Sequence, residues 1–303
     1  MGFGTFDNPG VIIEQAQNDE IFPEVMKASI DFDESLMIAN LDALNMYTKL
    51  IPFFTEGYNL ADPWDLLSIY ICYNWETFYT ARRSMIIGLN ANYNNAFALL
   101  RGVYDLQIQG AFFQCVSQEY LRDRGVPKDA KPGVKEAFYK ITQYLDSESE
   151  ERARSKKLPV YIFDILRQIS GEDSKPEIYS MLKAFEFWLR SDTFSTYLPS
   201  TDDLYFRLSR NVHENFLLTD IGRQLESGAN YAFQRPPIPI EKYSIEYFET
   251  FNELMDFCLA IQIGVFRLNL NYTYFCRKVQ ILKETEASSI VKLKVAKTLL
   301  DEF

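Results

Sequence analysis

The stretch Ala96-Phe97-Ala98-Leu99-Leu100-Arg101-Gly102-Val103-Tyr104-Asp105-Leu106-Gln107-Ile108-Gln109-Gly110-Ala111-Phe112-Phe113-Gln114-Cys115-Val116 places apolar side chains on nearly every face of a helix. A surface helix confines its apolar residues to one stripe, so a helix apolar all round has to be enclosed by its neighbours. The spacing predicts a central helix over residues 96–121. Just upstream, Asp62-Pro63-Trp64-Asp65 offers an N-cap carboxylate, a first-turn proline and a first-turn acid, so a long helix is expected from there. Leu67, Ile71, Trp75, Phe78, Met85 and Leu89 then recur at three, four or seven residues as one core-facing stripe, with Gly88 and Asn90 to Asn95 marking its exit.

The same punctuation extends in both directions. A helix is predicted over residues 33–54, stopped near Pro52, and the residues before Pro23 read as a loosely held arm. Downstream come a short helix carrying Phe138, Ile141 and Tyr144, two proline-led helices over residues 159–169 and 176–190, and a helix opened by Ser200-Thr201-Asp202-Asp203. Pro236, Pro237 and Pro239 demand an extended passage, after which helices are expected over residues 245–275 and 290–300. No alternation of strand length stands out, so the fold class is all-α: an up-and-down helical bundle with a central buried helix. The domain reading is an arm over residues 1–22 and one helical domain over 23–303, within which 122–200 forms a lid or subdomain insertion.

Composition narrows the function classes. The 303 residues are 47% hydrophobic, enough for a sizeable core. Thirty-one Lys and Arg against 42 Asp and Glu give a net charge of −11, which argues against broad binding to double-stranded DNA and leaves room only for local contacts with nucleic acid. Cys72, Cys115, Cys258 and Cys276 are widely separated and sit among apolar neighbours, so they read as small core hydrophobes. The first residues lack a signal-peptide pattern and the apolar run over 257–266 is too short to cross a bilayer, so the expected setting is cytoplasmic, with no membrane partner. The abundance of aromatic residues on long helices leads us to expect a homodimer.

Familiar cofactor sites are ruled out by inspection. No G-x-x-x-x-G-K-[ST] loop, no strand followed by G-x-G-x-x-G and no G-x-S-x-G turn occurs. A di-iron bundle needs Glu-x-x-His, but Arg210 occupies the position three before His213; with one histidine and scattered cysteines, no zinc set forms either. No metal and no cofactor is expected. What remains is the chain's one histidine, His213, beside Arg207, Ser209, Arg210 and Asn211. Histidine alone titrates near neutral pH unaided, and Ser209 and Arg210, four and three residues before it, share its helical face. Arg207, six residues before it, points elsewhere on an ideal helix. A second polar pair, Arg101 and Asp105, is one turn apart inside the most apolar helix and suits an i,i+4 ion pair. Both constellations have two readings: a functional site, or a core histidine and a structural strut.

Two of these segments resemble an uncharacterised group of prokaryotic helical proteins related to the HEPN superfamily. Ala98-Leu99-Leu100-Arg101-Gly102-Val103-Tyr104-Asp105 is similar to that group's Leu-Leu-Arg-x-x-x-Glu helix, with aspartate in the acid's place. Tyr205-Phe206-Arg207-Leu208-Ser209-Arg210-Asn211-Val212-His213 is similar to its Tyr-x-x-Leu-Ser-x-x-x-His helix and to the looser HEPN pattern of arginine, four to six residues, then histidine. The resemblance implies metal-independent RNA cleavage at a composite site in a dimer, with His213 taking the 2′-hydroxyl proton or protonating the leaving oxygen. It makes His213, Arg207 and Arg210 the catalytic candidates, with Arg101, Asp105, Ser209 and Asn211 supporting them. The competing expectation is a non-catalytic helical protein that holds an anionic ligand or a protein partner, as part of a regulatory or host-defence system.

Overall fold

A computed structural model describes residues 22–58, 63–118, 121, 123–126, 128–129, 132, 135–136, 138–139, 177–191, 204–209, 220, 222–223, 238–286 and 293–303. Among these residues there is no strand, and the helices pack into one all-α bundle. In chain order they are α1 (Pro23–Phe32), α2 (Glu34–Thr55), α3 (Pro63–Leu89), α4 (Tyr93–Ser117), α5 (Ile178–Leu189), α6 (Glu241–Asn269), α7 (Tyr272–Thr285) and α8 (Val295–Asp301). The segment 204–209 is also helical. Most of the expected arm, the helix over 159–169 and the proline passage before 238 lie outside the described residues.

Helix α4 is the enclosed element, and it packs along α3, α5 and α6. Its enclosure is uneven. Every residue from Gln107 to Val116 is buried, whereas Arg101, Gly102, Asp105 and Leu106 keep an edge at the surface. The long helix α6 shares the centre, touching each of the other seven helices named above. Where α3 and α4 cross, Gly110 lets the backbones close up: a methyl placed on it would come within 2.5 Å of Tyr73 Cβ.

Polar side chains inside the bundle set its register. Gln107 of α4 accepts from the Tyr47 hydroxyl at 2.6 Å and donates to the Tyr70 hydroxyl and to the Cys258 carbonyl, joining α2, α3, α4 and α6. Gln262 of α6 donates to the Tyr47 carbonyl and to Asn74 Oδ1. Gln114 accepts from the Tyr70 N–H at 3.1 Å, close to a break in α3 where Leu67 leaves helical geometry (φ −125, ψ 20). A side chain entering the backbone ladder at a kink gives a broken turn its missing partner. Burial pushes the Tyr47 and Tyr70 hydroxyls well above their ordinary value of 10.0, so both remain neutral, Tyr47 donating to Gln107 and Tyr70 accepting from it.

Several boundaries differ from the sequence reading for local reasons. An extra helix, α1, fills residues 23–32, with Pro23 in its first turn and its Ser29 hydroxyl donating to the Leu89 carbonyl. Asp33 then accepts from the Leu36 N–H and caps α2, which runs past Pro52 to Thr55. The helix expected over 245–275 is two helices: α6 stops at Asn269, and the Asn271 side chain accepts from the N–H groups of Thr273 and Tyr274 to start α7. Asn271 competes with the helix for backbone donors, which is why a continuous apolar pattern does not give a continuous helix here. Between α3 and α4 the chain reverses through Ala91 at φ 57, with Ala91 N–H on the Gly88 carbonyl and Asn92 N–H on the Ile87 carbonyl. That pair of bonds is a Schellman stop, built on alanine where glycine is usual.

Two further expectations are corrected. Trp75 does not join the core stripe of α3; it is 48% exposed, while Leu67, Ile71, Met85 and Leu89 are buried. Three- and four-residue spacing places Trp75 and Ile71 one turn apart, but α3's buried sector is centred on Tyr70, Thr77, Ala81 and Ser84, and Trp75 falls beyond its edge. Of the four cysteines, Cys115 and Cys258 are buried and their thiols are pushed far up by desolvation, but Cys72 and Cys276 are only half-buried. No described helix is long and apolar enough to cross a membrane.

Candidate functional site

The 204–209 segment lies against α4 because Leu204 and Leu208, one turn apart, are both buried. That anchoring turns Tyr205 and Ser209, also one turn apart, toward Arg101. The Arg101 guanidinium carbon lies 3.6 Å from the centroid of the Tyr205 ring, and its Nη1 donates to Ser209 Oγ at 2.6 Å. From the other side Nε donates to both Asp105 oxygens at 3.2 and 3.3 Å, with Nη2 3.2 Å from Oδ1. Tyr104 braces the arrangement, tilted against Tyr205 with centroids 5.7 Å apart and stacked on Phe257 of α6 at 5.3 Å.

Arg101 is thus held on three sides by an aromatic face, a carboxylate and a hydroxyl, and the side chain remains 19% exposed. A guanidinium has five N–H bonds in a rigid plane, and the described contacts use three of them. The seam between α4 and the 204–209 segment therefore offers a fixed cation with part of its edge toward solvent. Gly102 adds no side chain beside it, and a Cβ there would face α3, with the Thr80 methyl nearest at 3.9 Å.

The expected site residues separate into three groups. Arg101, Asp105 and Ser209 come together as described. Arg207 does not join them: its Nη2 pairs with Glu253 Oε2 on α6. Arg210, Asn211 and His213 lie outside the described residues. Two participants escaped the sequence reading as site residues. Tyr205 carried a usable signal, since it stands four residues before Ser209 and so shares its face. Glu253 carried none, being 46 residues from Arg207 on an unrelated helix.

A second arginine is placed quite differently. Arg223 is 1% exposed, with the rings of Tyr243, Phe97 and Tyr93 at 5.2, 5.7 and 5.9 Å and Asp220 at 3.5 Å. Asp220 also accepts from the Asn94 N–H, in the first turn of α4, where the helix dipole favours a carboxylate. Burial raises the Asp220 carboxyl above its ordinary value of 3.8 and lowers Arg223, each partly offset by the other's charge. This pair pins the chain to the start of α4, with the guanidinium enclosed and the Asp220 carboxylate 27% exposed.

Among the described residues no group of three His, Cys, Asp or Glu side chains is placed to hold a metal ion. Compared with known protein families, with curated proteins and with solved structures, the chain matches none.

Proposed function

We propose that the seam between α4 and the 204–209 segment serves a HEPN-like, metal-independent ribonuclease, with His213 transferring the proton and an arginine near it in sequence facing the phosphate. One observation supports the reading. The two segments that carry the resemblance are 108 residues apart at Arg101 and Ser209, yet they meet there side chain to side chain at 2.6 Å. In the proposed step the 2′-oxygen attacks phosphorus as its proton leaves, and the bond to the 5′-oxygen breaks as that oxygen gains a proton. The products are a 2′,3′-cyclic phosphate and a free 5′-hydroxyl. A histidine near its natural pKa suits either transfer, and a guanidinium's planar fork suits the charge building on the phosphoryl oxygens. Arg207 is engaged by Glu253, which favours Arg210 for the phosphate; Arg101, Asp105, Ser209 and Asn211 would hold the stretch of chain leading to His213.

The test is cleavage of single-stranded RNA in the presence of a chelator. Wild type should cut, and His213→Ala, at an unchanged thermal midpoint, should lose the activity because the chain holds no other histidine. If wild type does not cut, or if His213→Ala cuts equally well, the nuclease reading fails. A second reading, a non-catalytic binding or regulatory module for an anionic ligand or a protein partner, is favoured by a different observation: Asp105 and Glu253 already compensate Arg101 and Arg207. RNA retained but not cut, with retention weakened in Arg101→Lys, would select it.

A further inference from the structure

The outward face of α3 carries a pattern with no role in the bundle. Trp75 is 48% and Tyr79 51% exposed, their rings stacked at 5.8 Å with 27° between planes, and Ile86 is exposed further along. Cys72, Trp75, Tyr79, Arg82 and Ile86 follow the alternating three- and four-residue steps of a coiled-coil seam, with Glu76 and Arg83 flanking it on one side. Glu76, Arg82 and Arg83 are exposed and make no ion pair among the described residues. The stripe runs for about 21 Å at ~1.5 Å per residue. Two adjacent arginines on an exposed aromatic face are out of character for a chain of net charge −11.

We infer that this face binds the same face of a second copy of the chain, the two α3 helices running antiparallel about a two-fold axis level with Thr80 and Ala81. The sequence is self-complementary in that register. Trp75 meets the partner's Ile86, an aromatic face on an aliphatic side chain. Tyr79 meets the partner's Arg82, a cation on a ring. Glu76 meets the partner's Arg83 along the flank, where antiparallel helices exchange charges, and the symmetry makes each contact twice. Shifting the register by one heptad sets the Arg82 side chains against the partner's Cys72 and leaves Ile86 beyond the seam, so charge and shape both favour the alignment above. Trp, Tyr and Arg are also the residues that dominate interface energetics. Because Thr80 lies beside Gly102, the axis is level with the Arg101 seam of each copy. The pairing rests on the α3 face alone, and it stands or falls apart from any chemistry at the seam.

Sedimentation equilibrium of the full chain tests it. Wild type should sediment at twice the 35.3 kDa chain mass at micromolar concentration. Trp75→Ala and Tyr79→Ala should each raise the dimer dissociation constant about tenfold or more. Arg83→Glu, which sets a carboxylate against the partner's Glu76, should give monomer, and adding Glu76→Arg in the same chain should restore the dimer by exchanging both signs. All four changes are at exposed positions, so the helical circular dichroism should not move. A wild-type monomer at every concentration overturns the inference, as does a dimer indifferent to these substitutions. A monomer whose tryptophan fluorescence is quenched by single-stranded RNA, with the quenching lost in Trp75→Ala, overturns it too and gives the face to nucleic acid.

Discussion

Arg101 and Arg223 both join helix α4 to the chain beyond residue 203, and both sit against aromatic rings with an aspartate at hand. They differ in one respect. Arg101 keeps 19% of its side chain at the surface, whereas Arg223 keeps 1%. A charge without access to water depends wholly on its protein partners, so Arg223 relies on Asp220 and on the Tyr93, Phe97 and Tyr243 rings. A charge with an open edge can exchange one partner for another at small cost, and only that kind can receive a ligand. The same ingredients therefore make a strut in one place and a candidate site in the other, and the deciding variable is burial rather than composition.

The largest expected effect removes the enclosed guanidinium. Arg223→Ala should destabilise the fold by about 2–4 kcal/mol, since it opens a void among three rings and leaves a half-buried carboxylate without its cation. Arg101→Ala should cost about 1–2 kcal/mol, the sum of an exposed ion pair, one hydrogen bond and one ring contact. Urea denaturation of both variants measures the gap through the shift in midpoint at constant slope. Equal losses would mean that Arg101 is also a strut, and the seam would lose its standing as a site.

Two glycines of α4 sharpen the contrast on the same helix. Gly110→Ala forces a methyl to 2.5 Å from Tyr73 Cβ and should cost about 1–3 kcal/mol by overpacking. Gly102→Ala meets nothing nearer than 3.9 Å and should gain up to about 1 kcal/mol from helix propensity. The same methyl faces Thr80 of α3 and not the 204–209 segment, so Gly102→Ala should be more stable and should bind polyanions as wild type does, and weaker binding would count against placing the site at the Arg101 seam. Thermal midpoints and a polyanion titration on both variants separate the two outcomes.

The all-α class and the enclosure of α4 were legible because long helices write their surroundings into the spacing of apolar residues. The same spacing hid what breaks that rule. Gln107 and Gln114 fall inside an apolar pattern, and nothing local says that four helices are bolted through them. Trp75 fits the period of the α3 stripe yet faces outward, because a period fixes which residues share a face and leaves open how wide the buried sector is. At the candidate site the Arg101–Asp105 pair could be read from one turn of helix and Ser209 from its motif. The engagement of Arg207 by Glu253 could not, since it joins residues whose proximity exists only in the folded chain.

The smallest effect concerns titration of Asp220, the partner of Arg223. Burial is the largest influence on Asp220 and lifts its carboxyl above 3.8, although the Asn94 N–H and Arg223 both pull it down. A carboxyl whose pKa is raised by folding binds its proton more readily in the native state. Its contribution to stability is then fully present below the unfolded pKa and is lost as pH rises through the folded value. Asn at this position cannot titrate. The stability of wild type relative to Asp220→Asn should therefore be most favourable near pH 4 and should shrink by pH 7, a difference read from urea midpoints at the two pH values. A gap that instead widens toward pH 7 would show that Arg223 holds Asp220 ionised more strongly than burial opposes it. Arg223 and Asp220 would then be an ion pair in the full sense, and Arg223 and Arg101 would differ in exposure but not in the kind of charge balance that holds them.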